Sequence, residues 1–159
     1  MEQALFAAGC FWGVQYYFDQ VPGVTETVVG FTGGTTEDPT WESVSAHTTG
    51  HAEAVWIEYD ASKVSFETLV RQFFRMHNPT QLNQQGPDVG ENYRSAIFYT
   101  TDEQKQVAEK VKAELQPQFD GKIVTEIAPA GPFYRASEFH QKFTERTGHG
   151  ACHIPYASV

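Results

Sequence analysis

Cysteine is scarce here: Cys10 and Cys152 are the only two among 159 residues. Two thiols near opposite ends make no disulfide framework. Without a Cys-x-x-Cys pair there is neither a zinc knuckle nor a thioredoxin-type motif. Positive charge is also short. Eleven Lys and Arg stand against 20 Asp and Glu, a net charge of −9 with the six His neutral. Nucleic acid and anionic membranes recruit basic patches, so this balance argues against both as partners. There is no apolar run of roughly 18 residues, hence no expected transmembrane helix. The opening MEQALFAAGC lacks the basic flank and long apolar centre of a signal peptide, so a cytoplasmic protein is expected; separately, a monomer is expected. Internal repeats and low-complexity tracts are absent too.

What remains is an ordinary globular composition, 40% hydrophobic and 19% charged, in 17.8 kDa. That size suits one domain over residues 1–159 with a core that needs no disulfide or metal staple. Aromatic residues stand out, with 3 Trp, 7 Tyr and 12 Phe. Some of these rings must be core, and some are available to wall a pocket.

Residues 5–8 read as a short strand interrupted by Gly9. Val14, Tyr17, Phe18 and Val21 then recur at helical spacing until Pro22-Gly23 stops them. Residues 25–31 read as a strand ending at Gly33-Gly34, and a long Thr/Ser-rich loop runs to about Ala52. Residues 53–59 form the next strand. Ser65 caps a helix with a buried stripe of Phe66, Leu69, Val70, Phe73 and Phe74. A second polar loop spans 79–93, followed by a strand over 94–100. Thr101 and Gln104 make a capping box for a helix burying Val107, Val111 and Leu115. Asp120-Gly121 turns into a strand over 122–128. Ser137 opens a last helix carrying Phe139 and Phe143, and a glycine-containing tail over 148–159 is expected to be mobile. The order contains a split β-α-β arrangement. The expected class is therefore α+β: a two-layer sandwich with a mixed sheet, a ferredoxin-like core, long active-site loops and a coiled C-terminal tail.

Cys10 falls where a strand hands over to a helix. There unpaired backbone N–H groups and the positive helix end favour thiolate, the nucleophilic form. Gly9 and Gly13 leave room for a ligand, and Phe11 and Trp12 supply two rings beside the sulfur. Position and neighbours alone leave a buried structural thiol equally open.

Gly9-Cys10-Phe11-Trp12-Gly13 resembles the GCFWG signature of the methionine sulfoxide reductase A family. Further segments follow in family order. Residues 29–34, VGFTGG, resemble VGY-x-GG, and residues 38–41, DPTW, resemble NPTY. Gly50-His51-Ala52-Glu53 matches GHAE, residues 85–90 resemble QGNDxG, and Tyr93-Arg94-Ser95 matches YRS. Glu138, His140 and Gln141 fall in a stretch like AExYHQ. The matches run from Leu5 to about Cys152. Three positions depart from the pattern: Phe31 and Trp41 stand where the family has Tyr, and Pro87 where it commonly has Asn. The Trp41 indole donates a hydrogen bond but never accepts one.

The resemblance implies a reductase for the S epimer of methionine sulfoxide, free or in proteins, acting in protein repair under oxidative stress. Carried onto this sequence, Cys10 is the nucleophile. Glu53, on an apolar strand where burial would raise its pKa, is the general acid. Tyr93 donates to the sulfoxide oxygen, and Asp88 positions substrate or water. Phe11 and Trp12 seat the substrate methyl, and the Trp41 ring walls the substrate pocket. Cys152 is the resolving thiol, and its disulfide with Cys10 is recycled by thioredoxin or a small dithiol. No metal or organic cofactor is implied. Two alternatives stand beside this reading. One is a cysteine hydrolase with His51 or His140 as base. The other is a metal-binding protein using His149, Cys152 and His153, or His47 and His51.

Overall fold

The computed structural model describes residues 1–149. Its elements are β1 (Glu2–Ala8), α1 (Phe11–Asp19), β2 (Val24–Thr32), α2 (Trp41–Ser45), β3 (Ala52–Tyr59), α3 (Phe66–Met76), the two-residue strands β4 (Gln84–Gln85) and β5 (Asp88–Val89), β6 (Ser95–Tyr99), α4 (Asp102–Leu115), β7 (Glu126–Pro129), β8 (Tyr134–Arg135) and α5 (Phe143–Thr147). The main sheet has the order β7-β6-β1-β3-β2-β8. β6 and β7 run parallel and the other neighbours antiparallel, so the sheet is mixed. Within it, β6-β1-β3-β2 with α1 and α3 is the expected ferredoxin-like core.

Side chains alternate across the strands. Ala4, Phe6 and Ala8 of β1 and Val55, Ile57 and Tyr59 of β3 enter the large core beneath the helices, with Phe18, Leu69, Phe73 and Val111. Leu5, Ala7, Ala52, Ala54, Ala96 and Phe98 face the other way and are covered by Trp56, Ala128, Ala130 and Phe133. Glu53 lies two residues before Val55, so the same alternation directs it to the helix side, and it is only 1% exposed.

Several expectations shift in detail. The strand predicted over 122–128 begins only at Glu126, because the preceding backbone is engaged elsewhere. Ile123 bonds the Gln116 side chain through both its N–H and its carbonyl, and the Val124 N–H donates to the Pro79 carbonyl. The Thr125 carbonyl accepts from Lys112 Nζ at 2.9 Å. The last helix is split. A 3-10 turn covers Glu138–His140, Lys142 is left-handed at φ 56°, and α5 follows. At α4 the Thr101 hydroxyl caps the Gln104 N–H, but Gln104 reaches back to the Thr100 N–H rather than that of Thr101. The first long loop contains α2, closed by a capping box between Thr40 and Ser43.

The two loops are fixed by close approach. A Cβ at Gly34 would fall 2.3 Å from the His51 nitrogen. Gly90 has φ +139°, and a Cβ there would fall 2.2 Å from the His47 ring, so only glycine lets the loops touch. Gly86 and Pro87 form the two-residue turn joining β4 to β5, with Gly86 at φ +57°. Glycine in the first position and the fixed φ of proline in the second suit a tight hairpin.

Candidate active site

β1 ends at Ala8, Gly9 turns the chain at φ 99°, and Cys10 becomes the N-cap of α1. The first N–H groups of a helix lack intrahelical acceptors. Here the first of them, on Phe11, donates to Glu53 Oε1 at 3.2 Å. A carboxyl from β3 thus caps the helix that carries the cysteine. Burial pushes the Glu53 pKa up from 4.5 to about 8. The Phe11 N–H and the Asn92 amide oppose that rise, and the Asp88 charge adds to it. At pH 7 the group is therefore mainly the neutral acid. Oε1 accepts the Phe11 N–H, and Oε2 has no hydrogen-bond partner among the described residues.

Tyr93 follows the β4–β5 hairpin. Its pKa is raised, first by burial and then by the charges of Glu53, Asp88 and Cys10. It remains a phenol that can donate. Four groups named from the sequence (Cys10, Glu53, Asp88 and Tyr93) thus come from α1, β3, β5 and the following 3-10 turn to one place.

The three proposed wall residues converge through His140. The Trp12 indole N–H donates to His140 Nδ1 at 3.0 Å. The Trp41 and Phe11 rings lie 5.6 and 5.5 Å from the imidazole. Nδ1 accepts, so neutral His140 carries its proton on Nε2. Burial lowers its pKa against the opposing charge of Glu42, which favours this neutral state. His140 reaches this position because its neighbours are anchored. The Gln141 side chain pairs with both backbone groups of Val29 at 3.0 Å, and Lys142 Nζ bonds Asp19 at 2.9 Å. Phe11 itself is fully buried against Phe31, while Trp12 and Trp41 are half-buried. The open part of the wall is therefore the two tryptophans.

His51, the other candidate base, holds the loop. Its Nδ1 accepts from the Gly34 N–H at 3.0 Å, so Nε2 is protonated and donates to the Thr36 carbonyl at 2.7 Å. Among the described residues no group of three or more His, Cys, Asp or Glu is arranged to hold a metal. Cys152 and His153 lie outside the described residues. A surface groove of about 710 Å³ is lined by Arg75, His77, Asn78 and Lys122 among others and shares no residue with this cluster. Asn92, fully buried beside Glu53, has no sequence signal that separates it from other loop asparagines. Among the described residues no helix is long and apolar enough to cross a membrane.

The sequence model for "Peptide methionine sulfoxide reductase" matches residues 2–159. A "Peptide methionine sulfoxide reductase MsrA" of Pasteurella multocida is 54% identical over 142 residues, covering 89% of this chain and 82% of the relative. The crystal structure of reduced Mxr1 from Saccharomyces cerevisiae superposes with a TM-score of 0.92 at 31% identity, covering 98% of this chain and 90% of that one. Mxr1 in complex with Trx2 matches with a TM-score of 0.64 at 26% identity, covering 89% of this chain and 84% of that one. With the thiol, the buried acid and the aromatic wall on adjoining elements, and a family match across nearly the whole sequence, the chain belongs to the peptide methionine sulfoxide reductase family.

Proposed function

We infer that the chain is a thiol-dependent reductase that returns methionine sulfoxide, free or in proteins, to methionine and so repairs oxidised proteins. The observation that carries this is a cysteine at a helix N-terminus whose next N–H is bonded to a buried, neutral carboxyl. The Cys10 thiolate attacks the sulfoxide sulfur while Glu53 delivers its proton to the oxygen. In net terms the substrate S–O bond breaks and an S–O bond to Cys10 forms. The substrate sulfur gains two electrons, the cysteine sulfur loses two, and the Glu53 proton ends on the Cys10 sulfenic acid. Tyr93 donates a hydrogen bond to the oxygen as it gains charge. Asp88, hydrogen-bonding through water, positions it.

Trp12 and Trp41, backed by Phe11, hold the substrate methyl. That contact directs the oxygen of the S epimer toward Glu53. Cys152, in the 148–159 segment of this catalytic domain, condenses with the sulfenic acid and releases water. Thiolate attack by thioredoxin or a small dithiol then reduces the disulfide. The family's Mxr1–Trx2 complex supports that partner. Electrons come from dithiols, so the cycle calls on no metal or organic cofactor. A monomer in a reducing compartment such as the cytoplasm suits the scheme. The test is an assay of both sulfoxide epimers with dithiothreitol as reductant. Methionine should form from the S epimer alone, and equal rates on both epimers would contradict the pocket.

A further inference from the structure

Asn92 occupies the 3-10 turn Glu91–Tyr93, which packs against β3. Its side chain is fully buried, yet neither Oδ1 nor Nδ2 closes a hydrogen bond, and Glu53 Oε2 is in the same condition. Among the described residues only Ser45 Oγ and Thr144 Oγ1 share that state. A buried carboxamide without partners is costly, and a fold that keeps one invites the question of what engages it. The amide lies near enough to Glu53 and Tyr93 for hydrogen bonding to their charged forms to oppose the rise in the pKa of each.

The answer follows from the charge that appears during turnover. Resting Glu53 is neutral, and its single strong acceptor, Oε1, is taken by Phe11. Once the Glu53 proton leaves, a carboxylate remains in a buried corner. The ionisable groups facing it from neighbouring elements are Asp88, Tyr93 and Cys10, two carrying or able to carry negative charge and one a phenol. None is a cation. The Asn92 amide is the donor at hand. We propose that Asn92 is a positioning residue for proton transfer: its buried carboxamide binds the Glu53 carboxylate that forms when the acid gives its proton to the sulfoxide oxygen. This rests on Glu53 being the general acid.

The experiment is single-turnover methionine formation against pH, in the wild-type and Glu53→Gln backgrounds, with and without Asn92→Leu. Asn92→Ala is the second variant, and near-ultraviolet circular dichroism checks folding. Loss of the donor should slow the wild-type background about tenfold or more, the worth of a hydrogen bond to a charged group. It should also move the alkaline limb to higher pH, because a carboxylate without that donor is harder to form. In the Glu53→Gln background the same change should cost almost nothing further, because no carboxylate forms there. An unshifted wild-type profile overturns the proposal. So does equal slowing in both backgrounds, or failure of both Asn92 variants to fold, each of which marks a structural role. A Glu53→Gln protein with full single-turnover rate instead overturns the acid assignment itself.

Discussion

The two ends of α1 carry buried polar groups in different arrangements. In its second half, the Gln15 Nε2 donates to the Thr27 carbonyl and hydroxyl at 3.1 and 3.2 Å, and Gln15 Oε1 accepts from the Lys142 N–H at 2.8 Å. The Thr27 hydroxyl donates to Asp19, which also receives Lys142 Nζ. At its N-terminus the Phe11 N–H meets Glu53 Oε1, while Glu53 Oε2 and both polar atoms of Asn92 are unsatisfied. A saturated network fixes geometry: it ties β2, α1 and the segment around His140 into one unit. An unsaturated one keeps hydrogen-bonding capacity for groups that arrive or for charges that form. The C-terminal half of α1 is fully hydrogen-bonded, and its N-terminus keeps unused hydrogen-bonding capacity beside Glu53.

The largest loss of activity is expected at Cys10. Cys10→Ser should abolish methionine formation in a protein that remains folded, because a hydroxyl is un-ionised at neutral pH and a poor nucleophile toward sulfur. Turnover by that variant, followed by amino-acid analysis, would remove the cysteine from the chemistry.

Next in size is Glu53→Gln. The amide retains shape and an acceptor for Phe11 but has no proton to deliver. Single-turnover rates should fall by about 10²–10⁴-fold, the worth of a placed general acid. In the wild type the rate should also decline as pH rises through about 8, where Glu53 ionises. Rapid-quench measurements across that range check both statements.

At the saturated end the effect should be on stability. Gln15→Leu leaves the Lys142 N–H and the Thr27 carbonyl without their partner, and urea titration should register a loss of about 1–3 kcal/mol. The single-turnover rate per folded molecule should change far less than for Glu53→Gln. A catalytic loss as large as that of Glu53→Gln would erase the distinction between the two ends.

Stability should also depend on pH through Glu53, in small steps per pH unit. Glu53 in the unfolded chain ionises near 4.5 and in the folded protein near 8, so between these values the folded state holds more protons. Stability should therefore fall as pH rises across this window, by at most about 1.4 kcal/mol per pH unit from this one group. Denaturation series at several pH values should show a shallower decline for Glu53→Gln. An identical slope in the two proteins would show that the folded-state pKa of Glu53 is not raised.

Much of the scaffold was legible in the sequence because its signals are local. The Ser65 cap and the Phe66–Phe74 stripe specify α3, and Pro22-Gly23 punctuates the turn after α1. The misses have a common cause: competition from distant partners. The stretch 122–125 has strand character, but Gln116, Pro79 and Lys112 take its backbone groups before a sheet neighbour can. The helix after Ser137 breaks at Lys142, whose ammonium is bound to Asp19 and whose N–H is bound to Gln15. β8 is a two-residue pairing against Gly30 and Phe31, too short for a periodic pattern.

The site divides along the same line. The sequence alone put a thiol at a strand-to-helix junction with rings beside it, set out the two glycine-bearing loops and, through its motifs, pointed to the family. It also placed Glu53 on an apolar strand. Only the tertiary structure decided that Glu53 faces the helix layer, caps α1 through Phe11 and lies beside an unpartnered Asn92. The tertiary structure alone also decided that His140, 128 residues from Trp12, fixes the indole by a hydrogen bond. Periodicity and capping are read over a few residues. A proton's affinity for a carboxyl depends on burial and on neighbours drawn from the whole chain, and those are brought together only by folding.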